Sequence, residues 1–195
     1  MSDAVPVAAV VLAAGSSRRM GRPKLLLTYR GRPLLVRVVE AAWEGGCDPV
    51  VVVLGADADR YRPVLEGTPA AVVENPDHAE GMSTSIRAGI QALPEDTRAV
   101  VILLADQPFI DAGTVRRLRE VYQTTQSKIV ACRYGDVVGV PVLFDRALFL
   151  ELLVLDGDQG ARQVLRTYPR HVVTVEIPPE AARDIDTPDD AALLE

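Results

Sequence analysis

Three runs of consecutive apolar residues, 5–12, 50–54 and 100–104, constrain the fold more than any other feature of the chain. They are rich in valine, which suits a pleated sheet better than a helix, and none of them alternates with polar residues. Such runs fit strands buried on both faces, the situation in a parallel sheet covered by helices on each side. Between them the apolar period changes. Leu34, Leu35, Val38, Val39 and Ala42 fall on one helical face behind Pro33, a residue suited to a first helical turn, and Gly45 and Gly46 end the segment. The alternation continues with a helix over 57–66, a strand over 70–73 and a helix over 83–92. Asp111 then caps a helix running to about Tyr122, followed by a strand over 129–132. Strands alternating with helices predict parallel βαβ units and a doubly wound, mostly parallel α/β sheet.

Beyond Tyr134 the rhythm loosens. A turn is expected over 135–139, a short strand over 141–144, helices over 147–153 and 161–168 around a loop at 156–160, and a last strand over 172–177. No Ser/Gly linker, repeat or low-complexity tract interrupts the chain, so one domain is expected over residues 1–195, with an elaborated C-terminal part. At 195 residues and 48% hydrophobic, the chain can bury a core without staples and is far from the composition of disordered segments. Cys47 and Cys132 lie 85 positions apart with no CxxC spacing, which points to reduced packing residues rather than a disulfide or zinc scaffold. Trp43 is read as packing against the sheet, and His78 and His171 as structural or surface residues. The start is acidic, without the basic region of a secretory signal, and the longest apolar run, 5–14, is shorter than the ~20 residues that span a bilayer. A soluble, cytoplasmic protein is expected, with no membrane partner.

The net charge of −6 argues against a protein that coats nucleic acid. Its distribution is more informative. Residues 1–40 hold seven cations and two anions, a net of +5, so the remainder carries −11. Four of those cations, Arg18, Arg19, Arg22 and Lys24, fall within seven residues directly after the first strand, in LAAGSSRRMGRPK at 12–24. Small residues there let a backbone approach a ligand, and cations beside them suit a polyphosphate. Neither G-x-G-x-x-G nor a Walker A loop is present. Ligands of open α/β sheets bind beyond the carboxyl ends of strands, and two more segments stand there. Asp106 follows the strand 100–104, where a carboxylate can hold Mg2+ against phosphates, or serve as an ordinary turn residue. Asp186 precedes Thr187 and Pro188, a cap and first turn for a final helix, and can supply a second metal carboxylate.

At these residues the chain resembles the MobA-like nucleotidyltransferases, which share a Rossmann-like, nucleotide-diphospho-sugar transferase-like fold. LAAGSSRRMGRPKLLL, GMSTSIRAGI, LLADQPFI, GVPVLFDRALF, GDQGARQVL and DIDTPDD, in that order over about 10–191, resemble the molybdenum cofactor cytidylyltransferase branch. The resemblance implies that Leu12, Ala13, Ala14 and Gly15 hold base and ribose, with Ser17 in the same nucleotide-binding loop. It implies that Arg19 and Lys24 bind the triphosphate and act with Asp106 in catalysis, and that Gly81, Ser83 and Ser85 contact the nucleotide. Asp106 and Asp186 become ligands of Mg2+, or of Mn2+. Asp158, Gly160 and Arg162 meet the acceptor, with Arg162 pairing to its phosphate. The residue between Gly139 and Pro141, often polar in such proteins, is Val140 here.

The implied reaction transfers CMP from CTP to the terminal phosphate of molybdenum-molybdopterin. The nucleophile is already an anion and needs no general base, which suits a chain without a catalytic triad. The partners implied are these small-molecule substrates and a transient molybdoenzyme or its chaperone. Three other readings remain open: GTP as the donor, another phosphate acceptor such as a sugar phosphate, or a non-catalytic chaperone that binds finished molybdenum cofactor.

Overall fold

The three apolar runs lie side by side at the centre of one sheet. A computed structural model describes residues 5–17 and 20–194. Strand β1 (Val7–Ala13) leads through a 3-10 turn at Lys24–Leu26 to a small hairpin, β2 (Thr28–Tyr29) and β3 (Arg32–Pro33). Helix α1 (Leu34–Glu44), β4 (Val50–Leu54), α2 (Ala58–Leu65), β5 (Ala70–Glu74), α3 (Met82–Gln91) and β6 (Ala99–Leu104) follow in alternation. Helix α4 (Ala112–Thr125) connects to β7 (Ile129–Tyr134), β8 (Val137–Asp145), α5 (Phe149–Leu153), α6 (Ala161–Thr167), β9 (Val172–Glu176) and α7 (Pro188–Ala191).

The seven longer strands are ordered β5-β4-β1-β6-β8-β7-β9. All neighbours are parallel except β8, which runs antiparallel to both β6 and β7. The period of two along β1 explains the double winding. Val7, Ala9 and Val11 pack with Leu35, Val38 and Val39 of α1 and Leu118 of α4. Val10 points the other way, into a second cluster with Val51, Val53 and the α3 residues Ile86 and Ile90. Each such Val, Leu or Ile side chain contributes about 1.5–3 kcal/mol on burial, so neither face of β1 tolerates water. Among the described residues, no helix is long and apolar enough to cross a membrane.

Three expectations need correction. Trp43 does not pack on the sheet. It is 45% exposed, because the buried stripe of α1 passes through Val38, Val39 and Ala42 and leaves the next position facing water. Pro33 stands just before α1 rather than in its first turn, where it also closes β3. The third concerns 135–139, where the turn is confined to Gly135 and Asp136 and the strand begins at Val137. Tyr134 pairs directly with Val137 across the two-residue reversal at Gly135 and Asp136, with Gly135 at φ +62°, and β8 runs nine residues.

Within β8, Pro141 has no N–H for a ladder, yet the strand lies between two others. The conflict is resolved by a register slip. Ala131 pairs with Val142 but Cys132 with Gly139, so Val140 and Pro141 fall in a bulge. On the other side, pairing with β6 stops at Ile102 and Val142. The ends of β6 and β8 therefore part, and the wedge between them is the mouth of an apolar cavity.

Candidate active site

Two cavities meet at the carboxyl ends of β1 and β6. The first, about 590 Å³, is lined by Ala13 at the end of β1 and Ala14, Gly15 and Ser16 after it, by Ala56 and His78, and by Lys24, Asp106, Asp184 and Asp186. The second, about 830 Å³, lies in the β6/β8 wedge against Ile102, Val137 and Val140, with Gln107, Tyr134, Gly160 and Arg162 around it. Leu12, Met82, Leu104, Asp158 and Asp184 line both cavities. One groove thus has a charged arm and an apolar arm.

Hydrogen bonds between strand ends bring the charged arm together. The Ala105 N–H donates to the Leu12 carbonyl at 3.1 Å, and the Ile185 N–H to the Asp106 carbonyl at 2.9 Å. Ile185 is fully buried against Met20 and Leu34, which pins the segment on either side of it. Asp184 and Asp186 are thereby delivered to the end of β6, two positions apart on an extended backbone. The loop after Gly15 is fixed by Ser17, whose hydroxyl accepts from the Lys24 N–H and pairs with the Tyr61 hydroxyl, both at 3.1 Å.

These connections converge on Lys24. Its ammonium donates to Asp106 Oδ2 and to Asp186 Oδ1, each at 2.6 Å, with only 12% of its side chain exposed. Burial alone would lower the Lys24 pKa; the two carboxylates, Asp106 foremost, outweigh it and hold the ammonium above its ordinary 10.5. Burial and then repulsion from Asp106 raise the Asp184 pKa, against a hydrogen bond from Gln107 at 2.8 Å. Asp190, not foreseen, closes the capping box of α7. Its carboxylate accepts from the Thr187 and Asp186 N–H groups and from the Thr187 hydroxyl, which lowers its pKa.

The junction of the two arms is tight. Gly81 precedes α3 at φ +122°, and a methyl group there would collide with the Gly157 carbonyl. A Cβ on Gly160 would lie 2.8 Å from the Met82 sulfur. At the far end of the charged arm, a Cβ on Gly55 would lie 2.8 Å from that of His78.

The residues singled out in the sequence do not all face the groove. Leu12, Ala13, Ala14, Gly15, Lys24, Gly81, Ser85, Asp106, Asp158, Gly160, Arg162 and Asp186 line it. Ser17 instead ties down the loop, and Ser83 is 1% exposed, its N–H donating to Gly157. Arg19 lies outside the described residues. Ser16, Ala56, His78, Gln107, Met82, Tyr134 and Asp184 line the groove without having been foreseen. His78, read as a bland residue, turns Nδ1 to the Asn75 carbonyl at 3.2 Å.

The sequence matches a known family. Residues 9–173 match the MobA-like NTP transferase domain. The chain belongs to that family. It therefore carries a nucleotidyltransferase domain, and its strand order and solved neighbours give it the nucleotide-diphospho-sugar transferase fold. Nicotine blue oxidoreductase of Paenarthrobacter nicotinovorans is 34% identical over 196 residues, 95% of each chain. The molybdenum cofactor cytidylyltransferase of Escherichia coli K12 is 24% identical over 182 residues, 93% of this chain and 91% of that one. The crystal structure of Rv0371c from Mycobacterium tuberculosis H37Rv superposes with a TM-score of 0.83 at 34% identity, covering 97% of both chains. A crystal structure of the same protein in complex with manganese gives 0.79 at 33%, again over 97% of both.

Proposed function

We propose that the chain transfers CMP from CTP to the terminal phosphate of molybdenum-molybdopterin, forming the cytosine dinucleotide and pyrophosphate. The observation that carries this reading is the meeting of Lys24, Asp106 and Asp186 where a small-residue loop opens beside a second, apolar cavity. Transfer between two bound phosphates needs those three features together. It needs cations for the triphosphate, carboxylates for a divalent metal, and an adjoining room for the acceptor.

The donors fit a divalent cation. Asp106 Oδ1 is a buried acceptor with no hydrogen-bond partner among the described residues. Asp106 and Asp186 would hold Mg2+, or the Mn2+ found with Rv0371c, since such ions commonly take one or two carboxylates and leave the remaining positions to phosphate and water. When bound, the ion neutralises charge on the triphosphate. The backbone of residues 12–15 and the side of Ser85 would hold base and ribose, and Gly81 would keep the entrance of α3 clear. Lys24, with Arg19, would take the triphosphate oxygens. Arg162, Asp158 and Gly160 would hold the acceptor. Its phosphate oxygen bonds to the α-phosphorus as the bond to the β-phosphate oxygen breaks, and pyrophosphate departs with the electron pair.

Similarity over 95% of both chains to nicotine blue oxidoreductase supports a second reading, an oxidoreductase activity. A pyrophosphate assay separates the two. With Mg2+ and molybdenum-molybdopterin, CTP is expected to release pyrophosphate faster than GTP, ATP or UTP. Silence with all four nucleotides would overturn the proposal. A preference for GTP, or for a sugar phosphate as acceptor, would replace its substrate and keep its chemistry.

A further inference from the structure

The apolar arm contains a polar corner of which the resemblance accounts for one member, Arg162, and leaves the other, Tyr134, without a role. Arg162 Nη2 donates to the Tyr134 hydroxyl oxygen at 3.1 Å. A phenol has one proton to give and lone pairs to receive with. With Arg162 as donor to its oxygen, the Tyr134 proton is left to point at an acceptor elsewhere. Arg162 in turn spends one of its five N–H groups on Tyr134. Both side chains line the 830 Å³ cavity, and Arg166, one helical turn after Arg162 on α6, lines it beside them.

The corner is kept open by the backbone beneath it. A Cβ on Gly139 would sit 2.6 Å from the Tyr134 hydroxyl and 3.2 Å from Arg162 Nε, so any side chain at this β8 position would push the pair apart. Neither Arg162 nor Arg166 has a carboxylate within 4.0 Å among the described residues. Two unneutralised guanidiniums at i and i+4 repel one another. In a part of the chain that is acidic as a whole, that arrangement suits an anionic ligand.

We infer that Tyr134 joins Arg162, the arginine that the resemblance assigns to the acceptor phosphate, in a two-donor fork for that phosphomonoester, with Gly139 as the clearance that lets both donors converge. Arg162 alone would offer charge. The phenol adds direction, because its single O–H fixes where one phosphate oxygen lies. The inference rests on the proposed function in taking the acceptor to be a phosphorylated heterocycle.

Binding of hydroxymethylpterin phosphate and of unphosphorylated hydroxymethylpterin, followed by fluorescence without any nucleotide, tests it. The wild-type protein is expected to hold the phosphomonoester at least about tenfold tighter, as for roughly 1.4 kcal/mol. Tyr134→Phe keeps the ring and its packing. It is expected to reduce that ratio at least about fivefold by weakening the phosphomonoester alone, in the range of a lost hydrogen bond to a charged group. Gly139→Ala is expected to act in the same direction. Equal affinity for the two ligands in the wild type would overturn the inference, as would a Tyr134→Phe variant that weakens both alike. If the ratio behaves as expected while CTP turnover fails, the fork stands and the proposed reaction falls.

Discussion

The two sides of the sheet obey different rules. From β5 to β6 the strands are parallel and unbroken in register, β4, β1 and β6 are buried on both faces, and the carboxyl ends of β1 and β6 open on a charged arm. From β6 to β9 one strand is reversed, a bulge interrupts it, and the adjoining arm is mostly apolar. A regular sheet places its chemistry in the loops that leave it. An irregular one makes room within itself. The charged arm owes its shape to residues after β1 and β6, and the apolar arm to Pro141 and Gly139 inside β8.

That contrast can be broken by single substitutions. The largest effect is expected at the charged arm. Asp106→Ala and Lys24→Ala should each lower the rate of pyrophosphate release at least about a hundredfold, the scale of losing a group that stabilises developing charge. Pterin binding in the other arm should change less than about twofold, since neither residue lines that cavity. Full turnover in both variants would remove the basis for the proposed chemistry.

The junction comes next. Gly81→Ala forces a non-glycine residue to φ +122° and drives a methyl group into Gly157. A loss of roughly 2 kcal/mol or more is expected, with a fall in Tm of about 4–8 °C. Both substrates should bind less well, because this contact joins the two arms. Normal stability with only nucleotide binding affected would show the arms to be independent.

A smaller and one-sided effect is expected at the far C-terminus. Asp190→Ala removes the capping box and three hydrogen bonds to Thr187 and Asp186. Such caps contribute about 1 kcal/mol. The stability loss should be accompanied by a several-fold rise in the Mn2+ concentration needed for half-maximal rate, because the backbone of Asp186 is no longer held. An unchanged metal requirement would show that Ile185 alone places Asp186.

The smallest effect is expected at the thiols. Cys47 and Cys132 are fully buried, and burial pushes each thiol up to about 12. Thiolate is the reactive form, so at pH 8 only a fraction on the order of 10⁻⁴ is available on either side of the sheet. Iodoacetamide should label neither cysteine until denaturant is added. Rapid labelling of one of them would mark its side as locally open.

Most of the regular side was legible in the sequence, because burial on two faces writes itself as unbroken apolar runs and burial on one helical face as a 3.6-residue period. Asp106 was legible for the same reason, since it follows such a run. Asp186 was legible by its place before Thr187 and Pro188. The role of Asp190 was hidden, because a carboxylate that caps looks the same in sequence as one that faces water. The irregular side was much harder to read. Gly139 suggested a turn, and only the register slip around Pro141 shows it to be a strand residue that clears space for Tyr134 and Arg162. Those two side chains are 28 positions apart, and nothing local signals that they meet. His78 escaped notice because its place in the groove depends on the small size of Gly55, on a different strand end.

The proposed reaction puts its donor in one arm and its acceptor in the other. Incubation with CTP labelled at either the α- or the γ-phosphate, together with Mg2+ and molybdenum-molybdopterin, tests it most directly. The α-label is expected in the pterin product and the γ-label in pyrophosphate, in equal amounts. Release of both labels into free nucleotide and phosphate, or retention of both labels in intact CTP, would exclude that transfer.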